Sequence, residues 1–395
     1  MMLGRMLIGL LLCWSLAMAQ NQPTVGEAVR LAQQGKTQEA IEMFETLLQR
    51  DPENKTVLNW LGYLYLKTGK YEEAVPVLEK AVKAAPKNPE AWTNLGNAYL
   101  HTGQIEKAID AYKQVIAMKP DYADAHYNLG NLYTKLKQYQ QAVSHFQKAI
   151  QLNPRDANAH NNLGYAYQMM KLPSRALPAY KRAVELEPNN ITFRYNYALV
   201  NAELGNWREV VSTLEAVMPK MPNEDAGWLK LAEAHTRLKN PAKAIEALQK
   251  GIASNPDNPD LHYNLGVLYL QKGDLAAAAT SFQNALNLRP NDAEALSQLG
   301  FVYLRQRKLD DAIATLQTAL ERNPKLIEAR LNLASAKRLK GEKEEALKLY
   351  QQVLASDPKR TEARLAVGDL LLEKGDLQGA EAQYRAVLQQ NPQSD

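Results

Sequence analysis

The sequence predicts an all-α fold, a solenoid of stacked antiparallel helix pairs, and three observations support this prediction. Prolines recur every 34 residues with no insertion or deletion. Each interval contains two stretches with apolar residues at helical spacing, separated by a turn. Two helices of about a dozen residues cannot bury their apolar faces alone, whereas stacked copies can. The recurring prolines are Pro52, Pro86, Pro120, Pro154, Pro188, Pro222, Pro256, Pro290, Pro324, Pro358 and Pro392.

Residues 89–122 show the elements of one repeat in order. Glu90 stands where a first helix begins, and its charge suits the positive end of that helix. Gly103 then supplies the unusual backbone angle of a turn, and Pro120 ends the second helix because proline cannot continue it. The predicted apolar stripes are Trp92, Leu95 and Tyr99 on the first helix, and Ala108, Ile109, Tyr112, Val115 and Ile116 on the second.

Small residues recur at two positions of the repeat. Counting from Asn21 divides the chain into eleven repeats with positions 1 to 34. Position eight is Gly in seven repeats and Ala in the other four, and position twenty is Ala in ten, with Val210 as the exception. Small side chains let two helices approach closely, so we expect these positions to face each other within a pair. Repeat 6, which contains Val210, is the least typical copy, and both a hinge and a drifted sequence would explain it.

The repeat resembles the tetratricopeptide repeat (TPR). Its pattern W-x-x-L-G-x-x-Y stands here as Trp92, Leu95, Gly96 and Tyr99, followed by Ala108, Tyr112 and Pro120. The resemblance covers nearly all of the chain after its first twenty residues. It implies a right-handed superhelix in which the first helices line a concave groove and the second helices form the outer wall.

Amide side chains form a second pattern, at position six. This position lies two residues before the small position eight, which is about 200° around the helix, so its side chain should point away from the partner helix and into the groove. We therefore expect a ladder of amides along the inner surface. Its members are Asn94, Asn128, Asn162, Asn196, Asn264 and Asn332, with Gln298 as a near equivalent.

This pattern is similar to the asparagine ladder in the repeat region of O-linked N-acetylglucosamine transferases, which implies that the amides bind the backbone of an extended polypeptide. The alternative is that the amides only bridge neighbouring repeats. Further groove candidates are Asn97 and Asn131 at position nine, and Tyr127, Tyr195 and Tyr263 at position five, for which packing at the groove edge is the alternative.

Other classes of function have little support in the sequence. The net charge is only +4 and the charges are scattered, which does not indicate a nucleic-acid-binding protein. His126, His160 and His262 share position four with tryptophans of other repeats, so packing explains them better than a metal site. No catalytic or cofactor-binding motif stands out. We therefore expect no enzyme, no cofactor and no metal site.

The first nineteen residues, MMLGRMLIGLLLCWSLAMA, have the order of a secretory signal peptide. Arg5 precedes an apolar run that ends in Ala17-Met18-Ala19, which predicts cleavage before Gln20. A retained anchor is the alternative, although the run is short for a membrane span. Cleavage would remove Cys13, the only cysteine, and would leave no stable span. The predicted organisation is a signal peptide over residues 1–19 and an eleven-repeat solenoid over residues 20–395.

These patterns predict an exported scaffold, in the periplasm, in the cell envelope or secreted. It would bind an extended protein or peptide segment in its groove, with a natural role in envelope assembly or secretion. Two alternatives remain open: a structural rod that associates with itself through its terminal repeats, and an envelope component that handles saccharides. The last repeat supplies the apolar residues Tyr384 and Leu388 for such an end-to-end contact.

Overall fold

The computed structural model describes residues 23–390, and these residues form 22 α-helices, one short 3₁₀-helix and no strand. The predicted signal segment, residues 1–19, lies outside the described residues. The chain divides into two compact units, Met1–Val200 and Asn201–Asp395. Each repeat contributes a first and a second helix, which confirms the predicted all-α helix-pair repeat.

The first unit contains repeats 1 to 5 and most of the first helix of repeat 6. Its helices are α1 (Val25–Gln33), α2 (Thr37–Arg50), α3 (Lys55–Lys67), α4 (Tyr71–Ala84), α5 (Pro89–His101), α6 (Ile105–Met118), α7 (Ala123–Lys135), α8 (Tyr139–Leu152), α9 (Ala157–Met169) and α10 (Pro173–Leu186), and α11 (Ile191–Glu203) crosses the boundary. Within the unit, each second helix packs against its own first helix and the first helix of the next repeat.

The second unit has the same plan. Its helices are α12 (Trp207–Val217), the 3₁₀-helix Met218–Lys220, α13 (Asp225–Arg237), α14 (Pro241–Ser254), α15 (Pro259–Lys272), α16 (Leu275–Leu288), α17 (Ala293–Arg305), α18 (Leu309–Arg322), α19 (Ile327–Lys340), α20 (Lys343–Ser356), α21 (Thr361–Glu373) and α22 (Leu377–Gln390). The 3₁₀-helix follows directly on α12 and includes Pro219, so the second helix of repeat 6 is shorter than the others.

The turn inside every repeat uses a left-handed residue at position fifteen. Seven repeats have glycine there, with φ between 76° and 90°, and Gly103 is one of them as predicted. In the other four repeats Lys137, Lys171, Lys239 and Arg307 adopt φ near 60°. A side chain in this region costs on the order of 1 kcal/mol, so the turn geometry is held by the packing of the two helices it joins.

Two prolines lie inside second helices. A proline inside a helix kinks it or removes a backbone hydrogen bond, and α4 and α10 continue through Pro76 and Pro178. Both prolines lie on the exposed side, so water can reach the carbonyl group that each leaves without a helical partner.

The contact between position eight and position twenty-four sets the distance between the two helices of a repeat. A Cβ atom added to Gly130 would lie 2.5 Å from the Phe146 ring, and one added to Gly62 would lie 2.3 Å from Leu78. The large residue at position twenty-four therefore fills the space that glycine leaves open. Tyr112, Phe146, Tyr180 and Phe282 are completely buried in this way.

This contact predicts that Gly130→Ala lowers stability. Alanine is the better helix former by about 1 kcal/mol, but the displaced Phe146 ring should cost about 1–3 kcal/mol, so the net change is destabilising. Gly26→Ala is the matched control, because a Cβ atom there meets nothing within 4 Å in helix α1. Urea unfolding followed by circular dichroism should show a lower midpoint for Gly130→Ala and an unchanged or higher one for Gly26→Ala. Equal midpoints for the two variants would contradict the packing.

Candidate functional site

The predicted ladder lies on the surface formed by positions five, six and nine of the first helices, which we call the first-helix face. In the first unit, three ladder amides bridge adjacent repeats. Asn94 Nδ2 donates to Asn59 Oδ1 at 3.2 Å, and Asn196 Nδ2 donates to Asn161 Oδ1 at 2.9 Å. Asn162 Nδ2 donates to Asn131 Oδ1 at 2.9 Å and lies 3.3 Å from the Tyr127 hydroxyl group. Bridging, the alternative left open by the sequence, is therefore present at these three positions.

The bridges follow a rule that involves position five of the preceding repeat. Asn59, Tyr127 and Asn161 all occupy that position, and each accepts a hydrogen bond from the amide that follows it. In the second unit the same relation links Gln298 to the hydroxyl group of Tyr263. A position-six amide thus bridges when the repeat before it places a long polar side chain at position five.

The remaining ladder amides lack this partner. Position five of the repeat before Asn128 is Thr93, whose hydroxyl group instead donates to the carbonyl oxygen of Pro89 at 2.8 Å. Among the described residues, Asn128 and Asn332 have no hydrogen-bond partner for their side-chain amides. The exposed Asn264 donates only to the carbonyl oxygen of Asp260, in its own helix, at 2.8 Å. These three amides keep most of their hydrogen-bonding capacity for another molecule.

The position-nine candidates have partners inside the protein. Asn97 Oδ1 accepts a hydrogen bond from the Tyr112 hydroxyl group within its own repeat, and Asn131 accepts one from Asn162. Sequence reasoning missed the first relation, although a signal exists: three of the four tyrosines at position twenty-four coincide with Asn, Ser or Asp at position nine, whereas the fourth, Tyr180, donates to Gln168. The other pairs are Tyr350 with Ser335 and Tyr384 with Asp369.

The three tyrosines at position five are half-buried. Tyr127 packs against Phe146 with ring centroids 6.0 Å apart, and Tyr263 packs against Phe282 at 5.6 Å. Burial, with the nearby carboxylates of Glu294 and Asp292, raises the pKa of Tyr263. At Tyr127 and Tyr263 the packing at the groove edge is therefore observed, and one side of each ring is already occupied by the core.

Clefts on the first-helix face bring ladder residues together with other groups. In the second unit, Gln298 and Asn332 line a cleft of about 480 Å³, and Asn264 lines another of about 500 Å³. In the first unit, Asn59 and Trp60 line a cleft of about 580 Å³. Trp60 interrupts the ladder in sequence but stands at the same position six, with its ring stacked 6.3 Å from that of Phe44.

In seven repeats, position four carries a nitrogen donor that closes the junction with the preceding repeat. The side chain donates to the carbonyl oxygen of the repeat proline six residues earlier, so the histidines act here as hydrogen-bond donors. This role explains why tryptophan, histidine and arginine alternate at one position. The pairs are Trp92 with Pro86, His126 with Pro120, His160 with Pro154, Trp228 with Pro222, His262 with Pro256, Arg330 with Pro324 and Arg364 with Pro358.

His126 also contacts His145 of the second helix, with their Nδ1 atoms 3.2 Å apart. Because His126 donates through Nε2 to Pro120, its Nδ1 atom accepts from His145 when both rings are neutral. Burial, the neighbouring His126 and Lys113 lower the pKa of His145 to about 4, and burial, with the nearby Lys148, lowers that of His126. The pair is thus held neutral in the folded chain.

Within residues 23–390, no group of three or more histidine, cysteine, aspartate or glutamate side chains could hold a metal ion. No helix in that same part of the chain is long and apolar enough to cross a lipid bilayer.

The fold defines a helix-pair repeat protein, and the comparison with protein families specifies which kind. Four tetratricopeptide-repeat family models match the chain. The first model matches residues 31–93, 65–112 and 269–337, and the second matches residues 96–137. The third matches residues 123–156 and 157–190, and the fourth matches residues 229–295 and 331–395. The chain belongs to the tetratricopeptide repeat family. The unmatched stretch between residues 190 and 229 contains repeat 6, the least typical copy.

Solved TPR structures resemble parts of the chain. YrrB, described as a TPR protein with an unusual peptide-binding site, is 25% identical, with 50% of this chain and 97% of YrrB covered and a TM-score of 0.44. MamA is 30% identical, covering 42% of this chain and 96% of MamA, with a TM-score of 0.40. PilF of Pseudomonas aeruginosa is 19% identical, with 51% of this chain and 92% of PilF covered and a TM-score of 0.45. The comparison with curated proteins found no match.

The histidine pair predicts a loss of stability between pH 6.5 and pH 4. Histidines of the unfolded chain take up protons below about pH 6.5, whereas folded His145, with its lowered pKa, does so only near pH 4. Between pH 7 and pH 5 this site should therefore lose about 1 kcal/mol, after allowance for partial exposure to water.

The measurement is the shift of the urea midpoint between pH 7 and pH 5. His145→Gln should show a smaller midpoint shift than the wild type. His101→Gln, a control at an exposed residue, should show the wild-type shift. An unchanged shift in His145→Gln would contradict the assignment.

Proposed function

We propose that this protein is an exported, non-enzymatic TPR scaffold whose first-helix face binds an extended protein or peptide segment. One observation carries the proposal: Asn128 and Asn332 present side-chain amides without an internal partner on that face. The family supports it, because TPR folds generally mediate contacts between proteins and are generally non-catalytic. The signal-like residues 1–19 support export, and the corresponding location is the periplasm, the cell envelope or the exterior.

The chemistry of the amide suits a peptide backbone. An asparagine side chain offers two donors and one acceptor, which match the carbonyl and N–H groups of a peptide unit whatever its side chain. Each hydrogen bond contributes about 0.5–1.5 kcal/mol, so recognition requires several amides in register. The bridging amides keep part of this capacity, because Asn94 uses only one N–H group in its bridge.

The bridges and the unpaired amides have complementary roles in this proposal. Asn162, tied to Asn131, Tyr127 and Asn161, holds adjacent first helices in a fixed register. Asn128, one repeat earlier, makes no such contact and is available to a ligand. In this proposal the bridged amides hold the first helices in register, and the unpaired amides bind the ligand.

A second candidate function is self-association through repeat 11. Four leucines of this repeat are exposed although their residue type favours burial: Leu365, Leu372, Leu377 and Leu388. Tyr384, which the sequence placed on the same exposed face, instead packs against Gly368 and donates to Asp369. The apolar surface of the repeat therefore consists mainly of leucines.

Single substitutions of ladder amides should affect peptide affinity and unfolding stability differently. We expect peptides selected from a random library on the wild-type protein to bind Asn128→Ala about two- to tenfold more weakly, as the loss of one hydrogen bond implies. Its urea midpoint should stay the same or rise, because no internal bond is lost and alanine is a better helix former. Asn162→Ala should lower both affinity and midpoint.

Asn284→Ala is the matched control, since this exposed amide lies on the second helix α16. Fluorescence anisotropy should give it the wild-type affinity. Equal affinities for Asn128→Ala, Asn332→Ala and Asn284→Ala would contradict binding at the first-helix face.

Self-association predicts a different result. Multi-angle light scattering of the purified protein should give a mass above that of the monomer, and Leu372→Ser/Leu388→Ser should return it to the monomer mass because the exposed apolar area is reduced. A wild-type protein that is monomeric at micromolar concentrations would rule out this candidate.

A further inference from the structure

The cleft of about 480 Å³ on the first-helix face lies among helices α17, α19, α20 and α21, inside the second unit. Its size falls within the range of roughly 300–1,000 Å³ that is usual for ligand sites. We propose that this cleft selects a lysine or arginine side chain of the bound segment. This inference rests on the proposed function and specifies the chemistry of the partner.

The charges in the cleft favour a cation. Arg360 Nη2 lies 2.6 Å from Glu328 Oε2, and Arg360 Nε lies 3.4 Å from Glu362 Oε2. One guanidinium group is thus shared by two carboxylates, which leaves an excess of one negative charge. The side chains of Glu328 and Glu362 are 62% and 73% exposed, so both can turn towards an arriving cation, whereas Arg360 is only 28% exposed.

Uncharged acceptors lie in the same cleft. Ser297 is only 8% exposed, lines the cleft, and its hydroxyl group has no hydrogen-bond partner among the described residues. The unpaired amide of Asn332 supplies a carbonyl oxygen in the same cleft. An ammonium or guanidinium group has several N–H donors and no acceptor, so it can satisfy these oxygens and a carboxylate together.

An aromatic ring also lines the cleft. The Phe301 ring already has the guanidinium group of Arg305 5.8 Å from its centroid, so this ring accepts a cation in the folded protein. Arg305 does not line the cleft, and Arg338, which lies near the lining residue Tyr350, is paired with Asp369 and Glu373. Among the described residues that line the cleft, Glu328, Glu362 and Arg360 leave a net charge of −1.

An acidic side chain would not fit this site. Among the described residues, Arg360 is the only cation that lines the cleft, and both glutamates are already paired with it. A bound carboxylate would have to displace one of them or stay unpaired beside them, at a cost in free energy. The same charge balance implies that replacing both glutamates should weaken the preference for a basic residue, and that replacing Arg360 should strengthen it.

The experiment compares peptides selected from a random library by the full chain and by three variants. Wild type should enrich lysine or arginine at one peptide position, and replacing that residue with alanine should weaken binding about tenfold. Glu328→Gln/Glu362→Gln leaves Arg360 unneutralised, so the enrichment should vanish or turn towards acidic residues. Arg360→Gln leaves two carboxylates and should strengthen the enrichment. Glu294→Gln, at the same repeat position as Glu328 but outside the cleft, should behave as wild type.

The outcomes separate this inference from the function on which it rests. The inference would be overturned if the enriched peptides showed no preferred basic residue. It would also be overturned if Glu328→Gln/Glu362→Gln left that preference unchanged. In either case, weaker peptide binding by Asn128→Ala would still support binding at the first-helix face. A selection that enriches no peptide at all would contradict both proposals. Circular dichroism of each variant shows whether an altered selection comes from a folded protein.

Discussion

The close approach of the two helices within a repeat is the constraint on which the rest of the structure depends. Position eight must be small because the residue at position twenty-four occupies the space beside it: a Cβ atom added to Gly130 would lie only 2.5 Å from the Phe146 ring. This contact fixes the rotation of the first helix about its own axis. Since position six lies about 200° further round, the same contact determines which residues reach the first-helix face. A binding surface therefore follows from a packing requirement.

Polar side chains complete the junctions between repeats. Besides the position-four donors, Tyr65 and Tyr99 donate to Glu45 and Glu79 of the preceding repeat, each at 2.7 Å. These bonds, like the amide bridges, connect one repeat to its predecessor. Stability in such an array is a sum over neighbours, so a local change in one junction leaves the others nearly unaffected.

The fold could be predicted from the sequence because its determinants recur at a fixed period: the prolines, the small residues and the apolar stripes. The ladder amides could also be predicted, because they recur at position six, but the residues to which they donate hydrogen bonds could not. Whether Asn94 or Asn128 bridges depends on Asn59 and Thr93, which stand at position five of the preceding repeat, where the residue type varies. The cleft around Arg360 was missed for the same reason, since it combines residues from three repeats that the periodic pattern does not single out.

The donor at position four requires only an N–H group that reaches the proline carbonyl oxygen, and Trp228, His262 and Arg330 all meet that requirement. These residues differ in charge and aromatic character while they close the same junction. The charge of the side chain at such a junction can therefore change, in evolution or by design, without any change to the backbone. One architecture can in this way serve partners of opposite charge.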